Sequence, residues 1–233
     1  RAIYGEPIDG AMEAVAKLAY DETPDAPGID WRALNANRMI GEVENAEALV
    51  HVANSANHPA ATRREALAIL AEWPTPHGQD RVFGNWRPCT HPHADIVLQA
   101  FGATVEHLLA DEAVAAEAAK TTGALRLTNR AGLLAAYVAE GKHPSDARIA
   151  ALDALAAMSA PELAGAVDSI DAAAPVPLRK RAVELMSHAA PEKAVPVLAT
   201  LLDNASVSEQ QAAFAALGDM QHASASALLG AWL

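Results

Sequence analysis

Cysteine is nearly absent from this sequence, which has a single one, Cys89, among its 233 residues. One thiol cannot form an internal disulfide, a four-thiolate metal cluster or a haem attachment through two thioethers. Aromatic residues are also scarce at 4%, although 52% of the residues are hydrophobic. The chain is therefore long enough for one or two domains, with a core built mainly from alanine and aliphatic side chains.

Basic residues are outnumbered, since 17 Lys and Arg face 29 Asp and Glu for a formal net charge of −12. Such an acidic protein repels a phosphate backbone unless a local basic patch intervenes, and the sequence contains none. We therefore expect no nucleic-acid partner. Long apolar runs are missing too, because no stretch reaches the roughly 18 uncharged apolar residues of a membrane helix. We expect no membrane insertion.

The two ends of the chain carry a further expectation. It begins with Arg1 rather than methionine, and its last helical turns are apolar. A solenoid protein that ends naturally has a polar outer face on its last repeat. These features predict a processed product or a segment of a larger protein.

A short motif recurs at a spacing of 31 residues. It consists of an alanine, a larger apolar residue directly after it and a third apolar residue at i+4, all on one helical face. A polar residue three residues before the alanine lies on the same face; it is arginine in three copies and glutamine in one. The copies are Arg148 with Ala151, Leu152 and Leu155; Arg179 with Ala182, Val183 and Met186; Gln210 with Ala213, Phe214 and Leu217; and, further upstream, Arg63 with Ala66, Leu67 and Leu70.

Each of these predicted helices is followed by a second helix with its own start signal. Pro-Glu pairs open helices predicted over 161–174 and 191–203. Proline is tolerated in a first helical turn, and glutamate suits the positive end of the helix. We expect the repeat arginines to join helices by pairing with acids or helix-end carbonyls of the next repeat. Two-helix units at about 31 to 40 residues predict an α-solenoid.

The series of proline, arginine, alanine-leucine and leucine, followed by a turn and Pro-Glu-x-Ala, resembles HEAT repeats. The resemblance covers most of residues 45–233 and implies an all-α fold, an α-solenoid of HEAT-like helical hairpins. It further implies a concave binding face formed by the second helix of each hairpin. Residues 1–44 are predicted to form an irregular helical N-terminal part, with helices over 10–20 and 31–40.

The helical period stops between residues 74 and 95, where a Trp/Pro-rich loop is inserted. Prolines at positions 74, 76, 88 and 92 cannot continue a helix. The segment also has Trp73, Phe83 and Trp86, and large aromatic side chains stabilise a loop only when they are buried. We therefore predict an ordered loop that folds back onto the helices.

The Trp-Pro-x-Pro and Asp-Arg-Val-x-Gly-x-Trp-Arg-Pro series of this loop resembles the HEAT segment of large secreted bacterial proteins. Those proteins join a sugar-dehydrogenase-like β-propeller, HEAT repeats and often a c-type cytochrome domain. The resemblance implies a scaffold segment in the periplasm or outside the cell; a cytoplasmic location is the alternative. The haem motif Cys-x-x-Cys-His is absent, so we expect no cofactor. The matching residues are Trp73, Pro74, Pro76, Asp80, Arg81, Val82, Gly84, Trp86, Arg87 and Pro88.

Cys89, His91 and His93 alternate along the loop, and alternate side chains of an extended segment lie on the same face. Thiolate and imidazole are ligands of Zn²⁺ and copper, and Asp95 is a candidate fourth ligand. Ligands at i and i+2 rarely complete a tetrahedral shell without distant partners. The alternative is an ordinary capped loop in which Asp95 starts the next helix.

Trp73, Arg81, Trp86 and Arg87 are the candidate partner-binding residues of the loop. An arginine beside aromatic rings binds a carboxylate or stacks on a partner. The alternative is that both arginines bond loop carbonyls and cover the tryptophans.

Catalytic signatures are absent, because the sequence has no nucleophile elbow, phosphate loop, zinc-protease helix or dinucleotide fingerprint. We therefore predict a non-enzymatic protein–protein interaction scaffold, a segment or subunit of a larger extracytoplasmic bacterial protein concerned with redox or carbohydrate chemistry. Its partner is another protein or another domain of the parent chain. The alternatives are a HEAT-like enzyme of the bilin-lyase type and a metal-binding module centred on the loop. A DNA glycosylase, another enzyme of this fold, is disfavoured by the negative charge.

Overall fold

The computed structural model describes residues 10–21, 27–92, 94–171, 173–189, 191–204 and 206–232. These residues form α-helices and two short 3₁₀ turns, Lys17–Tyr20 and Thr128–Arg130. Extended pairing within them is limited to one isolated antiparallel bridge between Gln79 and Trp86. The all-α fold class is confirmed. Among the described helices, none combines the length and apolar character needed to cross a membrane.

The chain divides into two compact units, Arg1–Arg130 and Ala131–Leu233. In the first unit, helix α3 packs against α4, and α5 packs against α6. These two hairpins stack helix on helix, because α3 also contacts α5 and α4 contacts α6. The helices are α1 (Ala11–Ala16), α2 (Pro27–Ile40), α3 (Val43–Asn54), α4 (Ala60–Ala71), α5 (Ala94–Ala110) and α6 (Ala115–Ala124).

The described helices within residues 1–44, the part that the sequence predicts to be irregular, lie in the first unit. Helix α2 packs on both α3 and α4, and α1 packs on α2. The helix predicted over 10–20 is divided into α1 and a 3₁₀ turn, and the one predicted over 31–40 begins earlier, at Pro27. The start of α2 at a proline follows the preference of that residue for a first helical turn.

The second unit repeats the stacking of neighbouring helices. Consecutive helices pack against each other, and α7 contacts α9, α8 contacts α10, α10 contacts α12 and α11 contacts α13. Its helices are α7 (Ala131–Ala139), α8 (Ser145–Ala157), α9 (Glu162–Asp168), α10 (Val176–Ala189), α11 (Pro191–Asn204), α12 (Val207–Asp219) and α13 (Ala223–Trp232).

Helix α9 is shorter than the helix predicted over 161–174. After it, the carboxylate of Asp171 accepts a hydrogen bond from the Ala173 N–H at 3.0 Å, which forms a turn. An aspartate side chain that bonds a nearby N–H competes with the backbone hydrogen bonds of a helix. Pro175, two residues after Ala173, has no N–H group to donate to a helix. The local turn chemistry therefore ends α9 before the apolar pattern does.

The apolar face that the repeat predicts is buried against neighbouring helices. On α4 and on α8 the alanine and both leucines of the motif have 0% exposure. On α12 the face is incomplete, because Phe214 remains 37% exposed and its ring meets that of Trp232 edge-on at 5.7 Å. Each fully buried leucine contributes roughly 1.5–3 kcal/mol of transfer free energy.

The polar residue that begins three of the four motifs joins its helix to the end of the preceding helix. The sequence predicted acids or helix-end carbonyls of the next repeat as partners. Two arginines do bind an acid later in the chain, since Arg179 pairs with Glu209 at 2.6 Å and Arg63 pairs with Asp111 at 2.7 Å. The acceptors on the preceding helix, which were not predicted, are the Ala53 carbonyl for Arg63 Nε (2.9 Å), the Val138 carbonyl for Arg148 Nε (2.8 Å) and the Leu202 carbonyl for Gln210 Nε2 (2.9 Å).

Candidate functional site

The loop between α4 and α5 contains no helix within its described residues, 72–92, as its prolines predict. Its centre is a hairpin-like turn in which the Arg87 N–H donates to the Gly78 carbonyl (2.7 Å) and the Asp80 N–H donates to that of Asn85 (2.8 Å). Gly84 closes the turn with φ +71°, a conformation that glycine adopts without strain. These hydrogen bonds give the turn a defined conformation, although it belongs to no helix or sheet.

Asp80 is the polar centre of this turn and is only 2% exposed. Its Oδ1 accepts hydrogen bonds from the N–H groups of Val82 and Phe83, both at 2.8 Å. Its Oδ2 accepts a bond from the Asn35 side chain on α2 at 3.3 Å. The turn is thus satisfied internally and attached to a helix 45 residues earlier in the sequence.

Helix α2 supplies two further anchors for the loop. The amide oxygen of Asn35 accepts a hydrogen bond from the Arg81 N–H at 3.0 Å. Arg38, which is fully buried, donates from its guanidinium to the carbonyl of His77. Reasoning from the sequence missed both anchors. The available signal was a cluster of three polar residues within one predicted helix, Asn35, Asn37 and Arg38, all of which are buried.

Arg81 fastens the loop to α4. Its Nε and Nη2 bind the two carboxylate oxygens of Glu65 at 2.5 and 3.0 Å, and its Nη1 binds Glu72 at 3.1 Å. Both acids lie on or next to α4, so the loop is held on a second side. Both groups that Arg81 binds are carboxylates of this chain. The sequence leaves two other possibilities for this arginine, a carboxylate of a binding partner and the carbonyl groups of the loop. Arg81 therefore orients the loop from within the protein.

Trp73 lies in the core beneath the loop with 0% exposure. Its ring stacks on that of His91, with centroids 3.9 Å apart. The two ring nitrogens of His91 face the carbonyl oxygens of Trp73 (2.9 Å) and Arg38 (2.7 Å). A Cβ at Gly41 would lie 2.6 Å from the His91 ring, so only glycine allows this approach. Trp73 offers no surface to a partner and anchors the end of the loop.

Trp86 has the opposite environment and is 71% exposed. Its indole covers Gly78, where a Cβ would lie 2.4 Å from the ring. His77 meets the same indole edge-on, with centroids 6.4 Å apart. Phe83, which sequence reasoning did not select, is 44% exposed on the same turn. The loop therefore presents two aromatic side chains to solvent, and Arg87 beside them is half-buried.

The candidate metal ligands are brought together only in part. The Cys89 Sγ lies 3.6 Å from His91 Nε2, and Asp95 lies in the first turn of α5. Burial lowers the pKa of His91 and raises the pKa of the Cys89 thiol. His93 lies outside the described residues, within which no three His, Cys, Asp or Glu side chains are placed to hold a metal ion. The metal site stays a prediction.

No protein-family model matches the chain, and no curated protein matches it in sequence. The class that the described residues define is an all-α protein whose hydrogen-bonded, non-helical loop exposes aromatic side chains.

Proposed function

We propose that this chain is a non-enzymatic protein–protein interaction scaffold made of HEAT-like α-solenoid repeats. Three features support the proposal: the stacking of helical hairpins within each unit, the burial of the motif face, and the polar residue that joins three of the four motif helices to the preceding helix. Solenoid repeats of this kind serve mostly as binding surfaces. The partner is another protein or another domain of the parent chain.

Trp86 is the observation that carries the proposal. A large aromatic side chain that is 71% exposed yet held in place over Gly78 loses little conformational freedom when a partner covers it. Tryptophan is also among the residues most enriched at binding hot spots. The adjacent Phe83 widens the apolar surface. We name Trp86 and Phe83 the aromatic tip of the loop.

The four residues selected from the sequence take different roles in this proposal. Trp86 contacts the partner directly, and Arg87 borders the aromatic tip. Arg81 keeps the loop in position through Glu65, and Trp73 supports it from the core. A rigid support of this kind places a contact residue more accurately than a flexible loop does.

The resemblance of residues 73–88 to secreted bacterial proteins supports a further part of the proposal. The scaffold belongs to a larger extracytoplasmic protein, concerned with redox or carbohydrate chemistry, in the periplasm or outside the cell. In this setting the aromatic tip docks onto a neighbouring domain or subunit with an apolar pocket, since an exposed indole is best matched by such a pocket.

The test uses a photo-crosslinking amino acid at position 86 in the native host. The matched control carries the same group at Trp31, a tryptophan of α2 that is 37% exposed. We expect one protein or domain to be joined to position 86 and not to position 31. With that partner purified, Trp86→Ala should weaken binding about tenfold or more, and Trp31→Ala should leave it unchanged. Equal crosslinking from both positions, or equal affinities of both variants, contradicts the proposal.

A further inference from the structure

Arg148, on α8 of the second unit, is a buried cation with unused hydrogen-bond donors. The residue is 4% exposed, and its Nε donates to the Val138 carbonyl at 2.8 Å. Its two terminal nitrogens have no hydrogen-bond or ion-pair partner among the described residues. Arg148 lines a cavity of about 290 Å³ between the end of α7 and the turn after α9. The terminal nitrogens therefore reach the space of the cavity, where an anion can accept their hydrogen bonds.

Arg63 shows what an arginine at this repeat position binds. Its Nε donates to the Ala53 carbonyl at 2.9 Å, in the same way that Arg148 contacts Val138. Its Nη1 then pairs with the carboxylate of Asp111 at 2.7 Å. With Nε committed to a helix end, the remaining donors of this arginine are directed at a carboxylate. The first unit thus contains an internal example of the complex.

The corresponding acid of the second unit, Asp171, does not make this pair. Both aspartates follow a helix and accept a hydrogen bond from the N–H two residues later, at 3.0 Å in each case. Asp171 lines the cavity but forms no ion pair within the described residues, and its side chain is exposed. The donors of Arg148 are therefore available to a carboxylate from outside the chain.

The residues that line the cavity indicate which class of ligand it can bind. The carboxylate of Asp171 repels a dianion such as phosphate more strongly than a monoanion. Ala139, Ala174 and Pro175 add apolar surface suited to a short aliphatic chain. The volume lies just below the range of about 300 to 1,000 Å³ that is usual for drug-sized ligands, so the ligand is small. We propose that this cavity binds a short-chain aliphatic monocarboxylate, whose carboxylate is held by the terminal nitrogens of Arg148.

The first experiment is isothermal titration of the full chain with butyrate. The controls are butyramide, which has nearly the same shape without the charge, and inorganic phosphate. We expect one equivalent of butyrate to bind, an increase in Tm, and no binding of butyramide. Equal binding of butyrate and butyramide, or binding of phosphate in preference to butyrate, overturns the proposal.

Two variants test the location of the site. Ala174→Leu fills the cavity without removing any charge and should weaken butyrate binding about tenfold or more. Arg148→Lys keeps the charge but lacks the planar pair of donors and should weaken binding similarly. Circular dichroism shows whether each variant is folded. Because Ala174→Leu leaves the buried arginine in place, unchanged affinity in that variant alone overturns the proposal.

A variant of the first unit tests whether Arg63 and Arg148 bind a carboxylate in the same way. Asp111→Ala removes the internal carboxylate from the first unit and exposes the donors of Arg63. Formate, which replaces the lost group, should then bind with one more equivalent than to the unmodified chain. An unchanged number of bound formate ions contradicts the role assigned to the repeat arginines and with it the proposal.

Discussion

Arg81 binds both carboxylate oxygens of Glu65, through Nε at 2.5 Å and through Nη2 at 3.0 Å. The arginine belongs to the loop and the acid to α4, so two parallel hydrogen bonds join an irregular segment to a regular one. The Glu65 side chain is 12% exposed and that of Arg81 is 25% exposed. Water therefore screens this pair less than it screens an ordinary surface ion pair.

Arg81→Lys should detach the loop from α4 and destabilise the protein by about 1–3 kcal/mol, because an ammonium cannot reproduce the two parallel hydrogen bonds. Urea denaturation measures the change. The matched control is Arg181→Lys, since Arg181 also pairs with two acids, Asp153 and Glu184, which are 42% and 55% exposed. We expect the control to lose less than about 1 kcal/mol. Equal losses would contradict a special role for Arg81.

The two tryptophans of the loop should respond differently to truncation. Trp73→Ala leaves a cavity in the core and should destabilise the protein by about 3–5 kcal/mol. Trp86→Ala removes an exposed side chain and should change the free energy of unfolding by only about 0.5 kcal/mol. Denaturant unfolding of both variants measures the difference. Similar losses would mean that the aromatic tip is part of the fold rather than a contact surface.

Gly78→Ala tests whether partner binding requires the Trp86 indole to lie over position 78. The new Cβ would lie 2.4 Å from the ring, so the indole must turn away. Because the indole is exposed and can turn away into solvent, we expect a loss of stability below about 1 kcal/mol. Partner affinity should fall as far as in Trp86→Ala. Gly132→Ala, where a Cβ meets no atom within 4 Å, is the control and should leave affinity unchanged.

Stability should depend on pH through Asp111. Partial burial acts to raise the pKa of this carboxyl, but the hydrogen bonds from Arg63 and from the Ala113 N–H, together with the nearby charges of Arg63 and His107, outweigh it and hold the pKa below its ordinary value. The ordinary value is about 3.9. A lowered carboxyl pKa stabilises the folded state above the unfolded pKa, and this contribution disappears as pH falls through the folded pKa. Asp111→Asn should therefore be less stable than the unmodified chain at pH 7.

The difference between these two proteins should begin to shrink as pH falls below about 4, where Asp111 of the unfolded chain takes up a proton, and it should disappear once pH is below the lowered pKa of the folded carboxyl. Thermal unfolding across the pH range measures it. Glu112→Gln removes the adjacent, exposed charge and is expected to change stability by only about 0.5 kcal/mol. A difference that stays constant down to pH 2 would show that the ion pair with Arg63 does not stabilise the fold.

The helices that carry the motif could be predicted because their signal is local. Ala66 and Leu67, or Ala151 and Leu152, lie on one helical face whatever surrounds them, and all four are fully buried. The end of α9 was predicted too late because the turn of Asp171 is a side-chain effect that apolar periodicity does not contain. The carbonyl that accepts the Nε hydrogen bond of Arg63, on the preceding helix, was not predicted for a related reason. A carbonyl has no sequence signature, so only the packing of α3 against α4 identifies it.

The loop was predictable as a non-helical segment, but the roles of its residues were not. Trp73 and Trp86 stand in similar proline-rich surroundings, yet one is buried and the other is 71% exposed. Trp73 is covered because His91 bonds the Arg38 carbonyl, 53 residues earlier. Trp86 stays outside because the turn around Asp80 directs it over Gly78. Neither contact has a local sequence signal.

The sequence by itself determined an all-α protein, the repeated helical face, a loop without helix and an acidic surface. These properties follow from periodicity, proline and composition, which act within a few residues or over the whole chain. The tertiary structure alone decided that Arg63 binds Asp111, that Arg148 faces a cavity, and that Trp86 is exposed. These outcomes depend on which helix ends meet, and burial and pairing are set by contacts between residues far apart in the chain.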